Sequence, residues 1–283
     1  VTRPVDGKVL EGPEYETIFA MGPNCAIEDH DTIIRMSLLC DEYGMDTISA
    51  GAVVGFVMEM FEKGLISARE LDGIAPRWGD CGAALALVEK MAKVEGCGEW
   101  LSAGVAQIAE RFPEAAPFAM HVKGLEMPGY HPNRAKGMAL GYAVSERGAC
   151  HLRGAPLTEV LGGADPLATA GKASLFHHHQ SESALWNSAV LCVFPDFGMT
   201  LKELCQLVNA ATGFDYGTVR EFEKVGEGIS TLARLFNARE GFARKDDTLP
   251  ARTLSQPIGA GRSPGHVVEL DPMLTEYYAL VGW

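Results

Sequence analysis

The sequence predicts an all-α protein of two mainly helical domains, and three observations lead there. Apolar residues recur at the three-to-four spacing of a core-facing helical stripe in segment after segment. Start and stop signals bracket these segments, with Asp or Thr ahead and Gly behind. Alternating strand patterns are few.

The elements follow in order. Residues 31–43 carry Ile33, Ile34, Met36, Leu38 and Leu39, with Asp31 as N-cap and Gly44 as the stop. A second apolar helix runs from about Ala52 to Lys63, and Gly64 ends it. Residues 81–94 (Leu85, Val88, Met91) and 99–112 (Leu101, Val105, Ile108, Phe112) repeat the stripe. The segment near Ala119–Leu125 is a candidate short strand. Pro113–Pro117 and the Gly/Pro-rich stretch Met127–Gly141 punctuate the middle of the chain. They place a boundary near residue 120, giving domains 1–120 and 121–283. Beyond it, Thr200 and Glu203 form a capping-box pattern before Leu201–Ala211, which Gly213 ends. Thr218 and Glu221 repeat the pattern, and Phe222, Val225, Ile229, Leu232 and Phe236 keep one face over four turns. A polar tail with Pro and Gly covers Arg244–Gly265.

The chain has 283 residues, 47% hydrophobic and 22% charged, enough for an ample core and ordinary for a globular protein. A formal net charge of −13 repels phosphate backbones and argues against a nucleic-acid partner. No run of about 20 apolar residues is present to span a bilayer, and nothing resembles a secretory signal. The sequence opens at Val1 and closes at Trp283 straight after a helix-like stretch, which reads as a piece of a longer protein. Seven cysteines are scattered without a CxxC, a pattern that suits a reducing cytoplasm. Their spacing builds no closed metal site within this chain.

The sharpest local feature is Asp41-Glu42-Tyr43-Gly44-Met45-Asp46. Asp41 falls in the last turn of a helix, Gly44 breaks that helix, and Asp46 precedes the next start at Thr47–Ser49. Two carboxylates therefore flank an interrupted helix, beside free backbone groups and a glycine that allows close approach. Such a place suits a ligand rich in N–H donors; the plainer reading is a capped helix–helix turn. Gly12-Pro-Glu-Tyr-Glu-Thr17, ahead of the turn Met21–Cys25, reads as a fixed loop in which Glu16 is either an acid/base group or an exposed glutamate. Glu146–Gly154 sets His151 between Arg147 and Arg153, and neighbouring cations favour a neutral imidazole. Cys192 follows the helix-like stretch Ala184–Leu191 and reads as a buried apolar cysteine. His177–His179 reads as a polar loop, since adjacent histidines cannot all face one metal.

Taken together, Gly12–Thr17, Asp41–Asp46 running into Thr47-Ile-Ser49, Val122-Lys-Gly-Leu-Glu126, Arg147-Gly-Ala-Cys-His151 and Glu276–Trp283 resemble tungsten-containing aldehyde ferredoxin oxidoreductases. The matches lie in chain order and span nearly the whole sequence. The resemblance implies domains 2 and 3 of that family, with an N-terminal β domain missing. It implies a tungsten (or molybdenum) bis-pterin and a [4Fe–4S] cluster, both absent from the isolated piece. Each helical domain would supply one pterin motif, Asp-x-x-Gly-Leu-(Asp/Cys). Asp41, Gly44 and Asp46 match the first, with Met45 in the leucine place. Asn187-Ser-Ala-Val-Leu-Cys192 falls on the second, where Leu191 and Cys192 match while Asn187 replaces aspartate and Val190 replaces glycine. Cys192 stands at the fourth cluster ligand. Glu16 and His151 match the family's acid/base pair. The implied activity is oxidation of aldehydes to carboxylic acids with ferredoxin as acceptor, in an oxygen-sensitive, cytoplasmic enzyme, with a homo-oligomer as one arrangement the resemblance allows. The alternatives are a tungsten subunit of an aromatic acyl-CoA reductase, and a helical scaffold without cofactor.

Overall fold

In the computed structural model the chain is all-α and divides into two compact units, Val1–Gly129 with Pro250–Arg252, and Tyr130–Leu249 with Thr253–Trp283. The structure describes residues 12–283 apart from the side chain of Asp196, together with the backbone at 3–5 and 8–10. There a small hairpin, β1 (Arg3–Val5) and β2 (Lys8–Leu10), opens the chain.

The first unit is built on α1 (Tyr15–Met21), α2 (His30–Tyr43), α3 (Thr47–Glu62), α4 (Cys81–Lys93), α5 (Gly98–Leu101) and α6 (Val105–Arg111). Helix α2 begins one residue before the expected Asp31, because Asp29 is the cap: its carboxylate accepts from Thr32 N at 2.8 Å and Thr32 Oγ1 at 2.6 Å. Asp46 caps α3 through Ser49 N at 2.7 Å, so that helix starts at Thr47, well before Ala52. Polar Thr47 and Ser49 hide the start of an apolar stripe whose remainder, from Ala50 to Met60, is nearly all buried. The stripe at 99–112 is two helices, not one: Gly104, at φ 90°, breaks it between α5 and α6. The candidate strand at Ala119–Leu125 is a minimal hairpin, β3 (His121–Val122) with β4 (Leu125–Glu126), turned by Lys123 and Gly124 at positive φ.

Helix α3 is the centre of this unit. Helix α1 lies against it, and Gly51 makes that possible: a Cβ there would sit 2.4 Å from the Ala20 carbonyl oxygen. The hairpin is tied to the same helix. Glu126, 4% exposed, accepts from Ser49 Oγ at 2.7 Å and from Val105 N at 2.7 Å, so one carboxylate holds the starts of α3 and α6. That anchoring carries the first unit past residue 120 to Gly129.

The second unit holds α7 (Lys136–Val144), α8 (Leu157–Leu161), α9 (Lys172–Ser188), α10 (Leu201–Thr212), α11 (Val219–Arg239), the end of α12 (Ala251–Ser255) and α13 (Leu270–Val281). Both capping boxes form as read, at Thr200/Glu203 and Thr218/Glu221. Helix α9 packs against α7, α11 and α13, with Phe176, Leu185 and Trp186 buried. It includes His177–His179, which are helical and not a loop, because buried Phe176 and Gln180 bracket them on the core face. The long stripe on α11 is only half used. Phe222 is buried, but Leu232 and Phe236 are 69% and 61% exposed.

Glu159 organises the opposite side of this unit. Buried at 2% exposure, it accepts from Gly137 N and Met138 N at the start of α7, and from the ammonium of buried Lys172. The closing segment docks through Tyr277, whose hydroxyl donates to Gln180 Oε1 at 2.7 Å, and through Tyr278, which pairs with Asp247 and Arg234.

Candidate functional site

The two sequences singled out as ligand loops are both helix ends, one in each unit. In the first, Gly44 takes the left-handed conformation, φ 69°, and Met45 N donates back to Cys40 O at 2.8 Å. In the second, Val190 takes the same conformation, φ 57°, and Leu191 N donates to Trp186 O at 3.2 Å. Both bonds close the six-residue ring of a Schellman motif around the same motif positions. Valine here is a surprise, since a β-branched side chain disfavours that conformation.

Around the first end, Asp41 is exposed on the last turn of α2 and has no hydrogen-bond partner among the described residues. Asp46 keeps one oxygen on Ser49 N. Both carboxylates lie near the buried thiol of Cys40, which is pushed up to about 12 by burial first and then by these two charges. Two acceptors therefore meet a backbone turn with open space beside Gly44, where an added Cβ would touch nothing. This acceptor set fits the N–H-rich edge of a pterin.

Around the second end, Asn187 Nδ2 donates to Ser183 O at 2.7 Å, which leaves Oδ1 as its outward acceptor. Asn187 lines a polar cleft of about 370 Å³, with Ser188, Gln180, Ser230, Glu146 and Arg153 among its walls. Arg153 Nε is buried there without a hydrogen bond, although Glu146 Oε1 is 3.2 Å away. An N–H without a hydrogen bond, on an ion-paired guanidinium beside amides, also fits a polar heterocycle. Cys192 is exposed, contrary to the reading as a buried apolar cysteine, because α9 ends at Ser188 and the chain turns outward through Val190. Among the described residues no three His, Cys, Asp or Glu side chains form a metal-holding group, and Cys192 belongs to no such set of thiols. A [4Fe–4S] cluster wants four.

Glu16 is not on a loop. It lies in the first turn of α1 and is 9% exposed, with Gly129 N donating to its Oε2 at 2.7 Å. Burial raises its proton affinity, and the Gly129 N–H offsets part of that rise. Its neighbour Thr17 shares a 2.8 Å hydroxyl hydrogen bond with Thr47, the first residue of α3. The acid is thus braced against the helix that Asp46 caps. His151, in the second unit, is half-buried in a tight turn and faces the ring of Tyr130 at 6.0 Å. Cys150 N donates to Gly148 O at 2.6 Å, and Leu152 N to Cys150 Sγ at 3.4 Å, fixing the loop. Arg153, read as a cation close to His151 in sequence, is paired with Glu146.

Sequence reasoning missed the roles of Glu126, Thr17 and the Glu146–Arg153 pair. The first two sit inside quoted motifs, but contacts 77 and 30 residues apart in sequence leave no local signal.

The profile of the family described as aldehyde ferredoxin oxidoreductase, domains 2 and 3, matches residues 1–283. The chain is 42% identical over 282 residues to the tungsten-containing aldehyde ferredoxin oxidoreductase of Pyrococcus furiosus, covering 96% of this chain and 46% of that protein. Against the protein of the same name from Thermococcus kodakarensis, identity is 41%, over 97% and 46%. A solved structure titled as the active-site complex BamBC of benzoyl coenzyme A reductase with 1,5-dienoyl-CoA superposes with a TM-score of 0.73 at 18% identity, over 96% of this chain and 46% of that one. That likeness concerns the fold. The chain spans about half the length of the curated relatives it matches.

Proposed function

Since the chain belongs to the aldehyde ferredoxin oxidoreductase family, as its domains 2 and 3, we propose that it forms the helical, cofactor-holding part of an enzyme oxidising aldehydes to carboxylic acids. Ferredoxin is the electron acceptor in this reading, and the remainder of the subunit supplies the other cluster thiolates. One observation carries it: two helix ends, one per unit, share a left-handed residue and a Schellman closure at the same motif positions.

When bound, a tungsten (or molybdenum) bis-pterin supplies two-electron redox chemistry, and a [4Fe–4S] cluster passes the electrons on singly. Asp41 and Asp46 accept from the first pterin, and Gly44 lets its backbone approach closely. Asn187 and the Leu191 turn receive the second, and Cys192 ligates the cluster. The overall change is RCHO + H2O → RCOOH + 2H⁺ + 2e⁻. Glu16, with its proton affinity raised by burial, takes a proton from the attacking water. His151 donates a hydrogen bond to the aldehyde oxygen and orients the substrate.

The test uses the full-length protein, purified anaerobically. It should contain tungsten or molybdenum, pterin and iron, and reduce ferredoxin or a viologen dye with aldehydes. A protein lacking these metals would sink the reading, and turnover of an aryl-CoA alone would replace the substrate class. Glu16→Gln and His151→Ala should each cut turnover by about 10²–10⁴ with metal retained. Unchanged rates would refute their roles.

A further inference from the structure

The second helix end differs from the first in one chemical respect. Asn187 stands where Asp41 stands, so a neutral amide takes the place of a carboxylate. An amide oxygen accepts from an N–H, but it cannot offer the two-oxygen, charge-assisted grip that a carboxylate gives to adjacent N–H donors. Asn187 cannot turn its other end outward either, because Nδ2 is held on Ser183 O at 2.7 Å.

A carboxylate does line the same cleft. Glu146 comes from the loop after α7, and its backbone carbonyl is pinned by Asn237 Nδ2 of α11 at 2.9 Å. Arg153 stands beside it, Nε to Oε1 at 3.2 Å, and its own Nε remains buried without a hydrogen bond. The two side chains are 26% and 31% exposed, so they are part of the cleft wall and not a solvated surface pair. The cleft, about 370 Å³, is of the size that takes one small heterocycle.

We propose that Glu146, held by Arg153, supplies to the second pterin the carboxylate that Asn187 lacks. The pyrimidine edge of a pterin presents an amino group and a ring N–H side by side, next to a carbonyl. Glu146 accepts from the two donors, Asn187 Oδ1 provides a further acceptor, and Arg153 donates to the carbonyl. The inference rests on reading 187–192 as a pterin site. It adds that the site is complete through a residue forty-one positions upstream of Asn187, outside the motif.

The experiment compares full-length wild type, Glu146→Gln, and Glu146→Gln with Asn187→Asp. Pterin is released, oxidised and quantified by fluorescence against tungsten, and the melting temperature of metal-free protein is recorded for each. Wild type carrying two pterins per metal supports the parent reading; wild type without pterin removes that reading and this one together. Glu146→Gln should lose pterin about tenfold faster on dilution, the size of one missing charge-assisted hydrogen bond. Adding Asn187→Asp should restore retention. Full retention in Glu146→Gln would overturn the proposal and leave the parent reading standing. Loss without rescue would overturn it too, as would metal-free variants that fail to fold, which would make the pair structural. Glu146→Ala with Asn187→Asp gives a second, independent reading of rescue.

Discussion

Replacing Val190 with glycine probes the second helix end by its backbone alone. Val190 holds φ 57° and is 91% exposed, so almost no apolar burial is lost when its side chain goes. A left-handed conformation costs an L-residue about 1–2 kcal/mol, and β-branching puts valine at the upper end. Glycine removes that strain but gives the unfolded chain more freedom, which costs about 0.4–1 kcal/mol. The balance is a stabilisation of about 1 kcal/mol, or ~2–4 °C in melting temperature for a unit of this size. Calorimetry and urea unfolding, on wild type and variant of equal length, measure it. Val190→Ala should gain less, because it keeps a Cβ in the same conformation. Val190→Pro, whose ring forbids positive φ, should lose stability. A lower melting temperature for Val190→Gly would refute the left-handed assignment, and with it the geometric kinship of the two helix ends.

Other perturbations reach the remaining features. Burial raises the folded-state proton affinity of Glu16 above that of an ordinary glutamate, so the folded chain binds that proton more tightly than the unfolded one. Stability from this group is present below pH 4.5 and falls as pH rises through the raised value. Glu16→Gln should flatten the slope; identical pH–stability curves for wild type and variant would contradict it. Glu126→Ala should cost about 2–4 kcal/mol, since it strands Val105 N–H and the Ser49 hydroxyl. A double-mutant cycle with Ser49→Ala should show coupling of about 0.5–3 kcal/mol, and strict additivity would argue against their bond. Glu159→Gln leaves Lys172 buried without a counter-charge, its ammonium still donating to the Asp165 carbonyl, and should cost about 3–5 kcal/mol by chemical denaturation. A near-neutral effect would mean that the ammonium reaches water.

What the sequence disclosed depended on how local each signal is. Helix ends marked by glycine, and capping boxes four residues long, were legible because their partners lie within one turn: Gly44, Gly213, Thr200 and Thr218 all act as read. The start of α3 was not, because Thr47 and Ser49 look like turn residues until Asp46 is seen accepting from Ser49 N. Glu16 looked like a loop group because Gly12 and Pro13 precede it, yet the helix begins just after them at Tyr15. The long stripe on α11 was periodic throughout, but periodicity reports a face and not whether anything covers it; Leu232 and Phe236 are exposed. At the candidate site, the motif residues were visible and their supports were not. Glu146 acquires meaning only when the fold brings it to Asn187.

The hydroxyl bridge between Thr17 and Thr47, with the close seat of Gly51 under Ala20, makes a single piece of residues 15–62. The raised proton affinity of Glu16 and the left-handed turn at Gly44 therefore travel as one cassette. Exchanging that stretch between relatives should transfer both properties intact, whereas a crossover placed between Thr17 and Thr47 would split two hydroxyls that no longer match.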